Sequence, residues 1–312
     1  MIKDRKYLKL PKTSQRLNIG KLGRRDGELK EVRIVPRYGQ YVVELVFACQ
    51  AEAANVKREH ALAIDLGIDQ LATIVTNTGH RPVCVKGKQM KAINQYYNKL
   101  KAHYTGILRQ GTQPGEGVHT SRRLERLHLQ RHRRMKDLFH KASHDIVKFA
   151  AKQQIGTIVI GYNRGWKAES DMGRRNNQSF CHIPHQMLVS MIRYKAEAIG
   201  IGVILTEEAY TSKASFLDGD PLPEYEEGIT RTFSGRRIHR GLYRSRRGLI
   251  HADVNGAANI MRKVFPKATA DGIAGLGGTQ SVNVSTPLML SILSCTGMIH
   301  QKPPLQPEHQ RR

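Results

Sequence analysis

Two aspartates lie in sequence contexts where a carboxylate could do chemistry. Asp65 interrupts the apolar run that begins at His60, and Leu-Gly and a second apolar run follow it. Asp253 begins a stretch rich in alanine and asparagine that ends at Ile260. Carboxylates that converge from distant segments can bind Mg²⁺ ions, which activate a water molecule and stabilise a leaving oxygen. The structural alternatives are that Asp65 is a turn residue and Asp253 a helix N-cap; the two positions together favour the metal site.

The charge of the chain indicates a polyanionic partner. The 312 residues include 51 lysines and arginines against 26 acidic residues, which gives a formal net charge of +25. An ordinary enzyme with a small-molecule substrate does not require such an excess, whereas phosphate contacts dominate the affinity of basic proteins for nucleic acid. Nucleic acid is therefore the first candidate partner, ahead of a membrane surface.

The sequence favours a protein of the cytoplasm. It contains no run of about eighteen apolar residues, which a transmembrane helix would require, and residues 1–7 lack the apolar core of a signal peptide. The cysteines show no C-x-x-C spacing, which is typical of scattered thiols in a reducing compartment. They are Cys49, Cys84, Cys181 and Cys295. We therefore expect a cytoplasmic protein without a membrane partner.

Apolar patterns predict a mixed α/β arrangement, in which a strand hairpin is followed by helices and strands in alternation. The predicted strands are 32–35, 41–47, 61–64, 71–75, 82–85, 155–161 and 201–206. The predicted helices are 88–108, 121–153, 183–199 and 253–264, and the glycine-rich segment 111–117 separates the first two. Residues 266–312 are rich in Gly, Ser and Thr and then in Pro, Gln and Arg, so we expect a largely disordered tail.

The second helix of the predicted hairpin contains a concentration of cations. Glu125 and Asp137 are the only acids among Arg122, Arg123, Arg126, Arg131, Arg133, Arg134, Lys136 and Lys141. A run of charges on a helix is often only a solvated face. So little internal compensation, however, favours contact with a phosphate backbone.

Three motifs give the chain a resemblance to a known family. They are Ala-Ile-Asp65-Leu-Gly, the segment from Glu208 to Asp218 with Tyr-Thr-Ser-Lys near its start, and Ala-Asp253-Val-Asn-Gly-Ala-Ala-Asn-Ile260. In this order they resemble the transposon-encoded TnpB (OrfB) proteins, which are RuvC-like, RNA-guided DNA endonucleases related to type V CRISPR effectors. The resemblance covers about residues 32–264. It implies an RNase H-like (RuvC) mixed sheet with an inserted basic helical hairpin, preceded by a partial β-barrel segment.

The resemblance also implies an active site in which three acids bind two Mg²⁺ ions and a guide RNA selects the DNA target. Asp65 matches the first acid and Asp253 the third. In most relatives the second acid is a glutamate at the end of the central strand, where this chain has Gly161. The chain resembles a branch in which that acid lies at the end of the neighbouring strand, roughly 5 Å away. Only one of Glu207 and Glu208 can face the site, because successive side chains of a strand point to opposite faces. Glu208 is the expected ligand, since it directly precedes the Ala-Tyr-Thr-Ser turn at the end of the strand, and Glu207 is the alternate.

The segment that forms a zinc ribbon in many relatives lacks its cysteines here. No cysteine lies between Cys181 and Cys295, so no thiolate zinc site can form and we expect a protein without zinc. The segment instead offers arginines for charge and two aromatic residues, Phe233 and Tyr243, for stacking on nucleic acid, with a solvated loop as the alternative. The arginines are Arg231, Arg236, Arg237, Arg240, Arg244, Arg246 and Arg247.

Three regions are predicted along the chain. They are a remnant of a wedge-like N-terminal β-barrel domain at 1–58, a RuvC-like nuclease domain at 59–265 and the tail at 266–312. The nuclease domain would contain the helical hairpin 88–153 and a degenerate, basic zinc-ribbon-like insertion at 211–252. The expected function is a transposon-associated, Mg²⁺-dependent, RNA-guided DNA endonuclease. The alternative is a nuclease-inactive nucleic-acid-binding remnant or repressor of the same family, which the late start of the chain within the β-barrel region would support.

Overall fold

Strands and helices lie largely where the apolar patterns predict them. The structure is a computed structural model that describes residues 2–3, 7–19, 27–48, 50, 53–113, 115–162, 183–267 and 282–292. The strands are β1 (Ile2–Lys3), β2 (Tyr7–Lys9), β3 (Arg16–Asn18), β4 (Glu28–Arg37), β5 (Gln40–Ala48), β6 (Lys57–Leu66), β7 (Gln70–Thr76), β8 (Val83–Lys86), β9 (Ile155–Gly161), β10 (Gly202–Thr206), β11 (Arg236–His239), β12 (Leu242–Arg244), β13 (Leu249–His251) and β14 (Leu288–Ser291). The helices are α1 (Lys88–Leu108), α2 (Arg122–Lys152), α3 (His185–Glu197), α4 (Ala252–Val264) and α5 (Val282–Ser285).

Within the described residues, the central sheet has six strands in the order β10-β9-β6-β7-β8-β14. β6 is antiparallel to β7 and parallel to β9, so that Ile64 pairs with Ile74 on one side and with Ile160 on the other. β9 in turn runs parallel to β10. A central first strand, with an antiparallel hairpin on one side and parallel strands on the other, is the RNase H-like arrangement. The predicted α/β fold with a RuvC-like mixed sheet is therefore confirmed.

The two faces of β6 differ in the size of their side chains. Leu62 and Ile64 are fully buried against a core that includes α2 and α3, whereas Ala61 and Ala63 are buried against α4. Because successive side chains of a strand alternate between faces, Asp65 lies on the face of the two alanines. Small residues on this face let α4 approach the sheet closely, and this approach determines the geometry of the candidate site.

The helical hairpin α1–α2 begins and ends close to the predicted boundaries. Ser121 caps α2, and its hydroxyl accepts a hydrogen bond from Leu124 N at 3.3 Å. An apolar stripe that includes Met135, Phe139 and Phe149 packs into the core, while most arginines of α2 remain exposed. The hairpin therefore presents a basic outer face. None of the helices in the described ranges is long and apolar enough to cross a membrane.

The hairpin of β4 and β5 docks on α2 through its turn. The ring of Tyr38 stacks on His128 with centroids 5.8 Å apart, and Arg37 Nη1 donates to His132 Nε2 at 3.0 Å. Tyr38 and Gly39 both have positive φ, 49° and 69°, as tight hairpin turns require. In the described part of the N-terminal region, which the sequence predicts to be a partial β-barrel, this hairpin is separate from the three-stranded sheet of β1–β3.

The C-terminal tail is ordered between residues 282 and 292, where the sequence predicts disorder. α5 and β14 form there, and β14 pairs in parallel with β8, with Leu288 opposite Val83. The open edge of β8 supplies backbone partners, and Ile292 is buried in the core. The prediction from composition is wrong for this segment because the stabilising contacts come from a distant strand.

Candidate active site

Asp65 lies in the central sheet and not in a turn. It is paired with Thr73 of β7 and faces α4, where Gly256 lies so near that an added Cβ would be 2.6 Å from Asp65 Oδ2. Desolvation, followed by the negative charges of Glu208 and Asp253, holds the pKa of Asp65 well above its ordinary value, and Arg237 opposes this shift. The interpretation of Asp65 as a turn residue is therefore wrong, and its charge is coupled to both other predicted acids.

Glu208 fills the space that a side chain at position 161 would occupy. A Cβ added to Gly161 would collide with Glu208 Oε1 and would lie 2.5 Å from Ile260 Cδ1. The glycine at the end of β9 is thus required by the glutamate that follows β10. Desolvation raises the pKa of Glu208 to about 7, against the lowering effect of Lys263.

The neighbouring Glu207 points away from this space. It is exposed, and its Oε1 accepts hydrogen bonds from Ala209 N at 3.0 Å and from Lys263 Nζ at 3.2 Å. Of the two candidate glutamates, the structure brings Glu208 beside Gly161 and leaves Glu207 at the surface.

Asp253 lies in the first turn of α4, but it does not cap the helix. The N-cap residue is His251, whose Nδ1 accepts a hydrogen bond from Asp253 N at 3.3 Å. The Asp253 carboxylate instead accepts from Arg237, with 3.2 Å between Oδ1 and Nη2. The interpretation of Asp253 as an N-cap is therefore wrong.

A cleft of about 280 Å³ adjoins Asp65 and Asp253, and Glu208 is not among the residues that line it. It is lined by Asp65, Leu66, Gly67, Ile68, Asp69, Gln70, Thr73, Ser212, Arg237, Arg240, Ala252 and Asp253. Arg237 and Arg240, from the β11–β12 hairpin, form ion pairs with Asp253 and Asp69 respectively. Across the described ranges, no three acidic, histidine or cysteine side chains stand close enough to hold a metal ion together. The predicted acids therefore lie within electrostatic reach of one another, but Asp253 is directed towards an arginine.

The donor set suits a hard divalent cation. Carboxylate oxygens are the ligands that Mg²⁺ prefers. Desolvation and then repulsion by Glu208 and Asp253 raise the pKa of Asp65, and a bound cation would offset both effects. The glycines at 161 and 256 leave room for the carboxylates of Glu208 and Asp65. The residues therefore fit magnesium in their chemistry, and Asp253 would have to exchange its arginine for the ion.

Sequence reasoning missed two residues of the site. Asp69 lies in the turn between β6 and β7, where it pairs with Lys91 and Arg240. An acid four positions after Asp65 was a visible signal, although its partners were not. The role of Gly256 could have been suspected from a glycine in the interior of an alanine-rich helix, where glycine is otherwise unfavourable.

The arginines predicted to bind nucleic acid have different surroundings. Five are exposed on α2: Arg122, Arg123, Arg126, Arg133 and Arg134. Arg131 is directed inwards, because its Nε donates to Asn94 Oδ1 at 2.8 Å and its guanidinium lies 4.9 Å from the centre of the Tyr97 ring. Arg236 is exposed on β11, next to the cleft-lining Arg237 and Arg240. The cations thus form two surfaces, one on α2 and one at the rim of the cleft.

The RNase H-like sheet, with a carboxylate on its central strand facing the last helix of the domain, defines a protein of the RuvC-like class. A family model described as a probable transposase, OrfB of IS605, matches residues 42–167. A second model, described as a Cas12f1-like TNB domain, matches residues 185–260. Over these residues the chain is similar to the TnpB (OrfB) family of transposon-encoded proteins.

Individual relatives are distant in sequence. The TnpB-like protein ORF457 of Acidianus two-tailed virus is 23% identical over 215 residues, which are 68% of this chain and 43% of that protein. The chain thus spans less than half the length of this relative. A cryo-EM structure of a Cas12f1–sgRNA–target DNA complex is 17% identical with a TM-score of 0.49, over 70% of this chain and 42% of that one. A cryo-EM structure of a CRISPR–Cas12f ternary complex is 16% identical with a TM-score of 0.38, over 59% of this chain and 36% of that one.

Gly256→Ala should displace the Asp65 carboxylate, because the added Cβ would lie 2.6 Å from Asp65 Oδ2. Gly106→Ala in α1 is the matched control, since nothing lies within 4 Å of a Cβ there. Alanine favours a helix over glycine by about 0.5–1 kcal/mol, so the control should gain about that much stability. Gly256→Ala should instead lose about 1–3 kcal/mol through overpacking. Chemical denaturation measures both, and an equal gain in the two variants would mean that α4 does not press on Asp65.

Without divalent metal, the free energy of unfolding should fall as the pH rises through the range in which Glu208 titrates. The folded chain raises its pKa from 4.5 to about 7, so the unfolded chain loses this proton first. The contribution of Glu208 is therefore full below pH 4.5, decreases as the pH rises and levels off above about 7. The decrease is at most roughly 3 kcal/mol.

Denaturation in a chelating buffer at several pH values tests this expectation. Glu208→Gln should reduce the slope of the profile and leave the part that comes from the raised pKa of Asp65, and Glu207→Gln should leave it as in the wild type. If Glu208→Gln keeps the wild-type slope, the carboxyl of Glu208 does not titrate in a desolvated site.

Proposed function

We propose that this protein is a metal-dependent DNA endonuclease of the TnpB kind, guided by RNA and associated with transposition in the cytoplasm. The observation that supports the proposal is the position of Glu208, whose carboxylate takes the space of a side chain at position 161 and interacts electrostatically with Asp65. A strand-end charge without a role would have stayed in solvent, as Glu207 does. Desolvation of a carboxylate costs stability, and a metal site is the function that compensates for it.

The proposed ligands are Asp65, Glu208 and Asp253, and two Mg²⁺ ions are expected. Bound there, the metal would supply activation of a water molecule and stabilisation of the leaving oxygen of a phosphodiester. The chain itself sets the position of the acids, since β6 fixes Asp65 and the first turn of α4 fixes Asp253. Arg237 and Arg240 line the same cleft, where guanidinium groups are suited to bind phosphate oxygens.

The proposed nucleic-acid partners are a guide RNA and a DNA target. The exposed arginines of α2 form a charged face, and Asp137 of this helix pairs with Lys141. The net charge of +25 draws polyanions to the whole protein. Binding by such a surface is electrostatic and carries little sequence information. Selection of a target is therefore assigned to base pairing with the guide and not to this surface.

A second candidate function is nucleic-acid binding without cleavage, as a repressor or a decayed remnant. The ion pair between Arg237 and Asp253 favours it, because the guanidinium takes the carboxylate that a metal ion would need. The two functions differ in how the protein responds to magnesium. A nuclease site exchanges the arginine for the ion, whereas an inactive binder keeps the ion pair.

Removal of the Glu208 carboxylate should abolish both DNA cleavage and metal binding. Loss of a group that only supports a metal ligand costs about 10–100-fold, so Glu208→Ala should lower the rate of DNA cleavage by about 100-fold or more. It should also remove the rise in melting temperature that Mg²⁺ gives the wild type, since an ion that binds the folded state stabilises it. Glu207→Ala is the matched control and should change neither quantity.

A glutamate placed at position 161, at the end of β9, should restore Mg²⁺ binding in part when Glu208 is absent. Two of the three atoms nearest to a Cβ at 161 belong to the Glu208 side chain and the third to Ile260. We therefore expect Glu208→Ala combined with Gly161→Glu and Ile260→Val to recover the Mg²⁺-dependent rise in melting temperature. If Mg²⁺ does not change the melting temperature of the wild type, nucleic-acid binding without cleavage is the favoured function. A magnesium response that persists in Glu208→Ala would place the second acid elsewhere.

Neutralising exposed arginines of α2 should weaken nucleic-acid binding and its dependence on salt. Each lost phosphate contact lowers the slope of log affinity against log salt by about 1, so Arg126→Gln, Arg133→Gln and Arg134→Gln together should lower it by about 3. Arg131→Gln is the control, because this arginine packs on Tyr97 and Asn94 and should affect stability more than the slope. Titration of a labelled RNA at several salt concentrations measures both, and an unchanged slope in the triple variant would remove α2 from the binding surface.

A further inference from the structure

Residues 211–252, the segment compared above with the zinc ribbon of relatives, are called the ribbon segment here. In this segment the carboxylate of Asp218 holds two turns together. The turn 215–218 faces the turn 245–248, and Asp218 joins them by accepting hydrogen bonds from Arg246 N at 3.0 Å and from Arg247 N at 3.2 Å. The side chain of Arg247 reaches back to Leu217 O at 3.1 Å. Asp218 N in turn lies 3.3 Å from Ser215 Oγ. One carboxylate therefore ties together two turns that are distant in the sequence.

A second carboxylate adds the approach to β11 to this arrangement. Asp220 Oδ2 accepts from Ser215 N at 2.8 Å and from Ser234 N at 2.9 Å. The hydroxyl of Ser234 donates to Asp218 Oδ2 at 2.7 Å. Asp218 and Asp220 together thus receive donors from three stretches of the ribbon segment, around residues 215, 234 and 246.

These contacts join the parts of the segment that a structural zinc ion would have to join. In relatives with two C-x-x-C pairs, the metal joins the two halves of the ribbon, and four thiolates are needed for its tetrahedral site. Here the turn 215–218 has a serine and an aspartate at the paired positions, and no cysteine lies anywhere in 211–252. The residues of this segment therefore do not fit zinc, although the segment is folded.

We propose that the carboxylates of Asp218 and Asp220 replace zinc as the group that closes the ribbon segment, so that this part of the protein folds without metal. Hydrogen bonds to an ionised acceptor are roughly twice as strong as those between neutral groups, and Asp218 and Asp220 accept five of them. Burial works against ionisation of Asp218, but the bonds from Ser234, Arg246, Ser215 and Arg247 prevail and hold its pKa below the ordinary value.

The closed segment also supports the last helix of the nuclease domain. Phe216 N donates to Asn255 Oδ1 at 2.9 Å, and Asn255 Nδ2 donates to Ala214 O at 2.8 Å. Asn259, one turn further along α4, donates to Thr211 O at 2.9 Å and to Ala214 O at 2.8 Å. The two carboxylates therefore brace the backbone to which α4 is anchored, and they do so whether or not the protein cleaves DNA.

The test uses the full chain and measures zinc, stability and local hydrogen exchange. Asp218→Asn keeps the shape of the side chain but replaces one acceptor oxygen by a donor that faces other donors. Glu226→Gln is the matched control, because this acid of the same segment is exposed and, among the described residues, pairs with the exposed Arg231. Amides of Arg246 and Arg247, which donate to Asp218, should exchange about tenfold faster in Asp218→Asn, as expected from loss of a charge-assisted hydrogen bond. They should exchange at the wild-type rate in Glu226→Gln.

The wild type should contain no stoichiometric zinc by elemental analysis, and its melting temperature should not respond to EDTA. One equivalent of zinc that EDTA removes, with a fall in melting temperature, would overturn the proposal, as would wild-type exchange in Asp218→Asn. If Asp218→Asn does not fold, Ser234→Ala decides the matter, because it removes a single donor to the same carboxylate. Faster exchange confined to residues 215–248 in Ser234→Ala supports the proposal, and no change contradicts it.

Discussion

The close packing of α4 against β6 is the constraint on which the rest of the structure depends. Ala61 and Ala63 face the helix from the sheet, and Gly256 faces the sheet from the helix. Bulky residues at these positions would push the helix outwards and carry Asp253 away from Asp65. Tight packing of small side chains stabilises little per residue compared with larger apolar groups. It is the arrangement that lets two carboxylates from distant parts of the chain share one electrostatic environment.

The pair formed by Gly161 and Glu208 shows that a site is defined by the positions of atoms and not by positions in an alignment. β9 and β10 are hydrogen-bonded neighbours, so an acid at the end of one strand can reach the space at the end of the other. Glycine is required at position 161, because a Cβ there would meet the carboxylate of Glu208. Under the proposed function, the acid of this site comes from the end of β10 and the space for it from the end of β9.

Much of the fold could be predicted because its elements are strongly periodic. The first helix, 88–108, and the strand 155–161 were predicted at their observed bounds, and alternation along a strand anticipated that only one of Glu207 and Glu208 could face inwards. The partner of Asp253 could not be predicted, because the ribbon segment offers many arginines and only the path of the β11–β12 hairpin brings Arg237 to the carboxylate. The same holds for Arg131, which the sequence placed among the exposed cations and the structure packs against Tyr97.

The parallel pairing of β14 with β8 affects the order in which the protein can be completed. Nearly the whole nuclease domain lies between these strands in the sequence, and closing so long a loop is slow compared with local contacts. Chains emerge from the ribosome amino end first, so the backbone groups along β8 stay open while every other strand of the central sheet is already available. An open sheet edge is a template for pairing with another chain. Among the described strands of the central sheet, β14 is synthesised last, and its pairing with β8 covers an edge at which nascent chains could otherwise exchange strands.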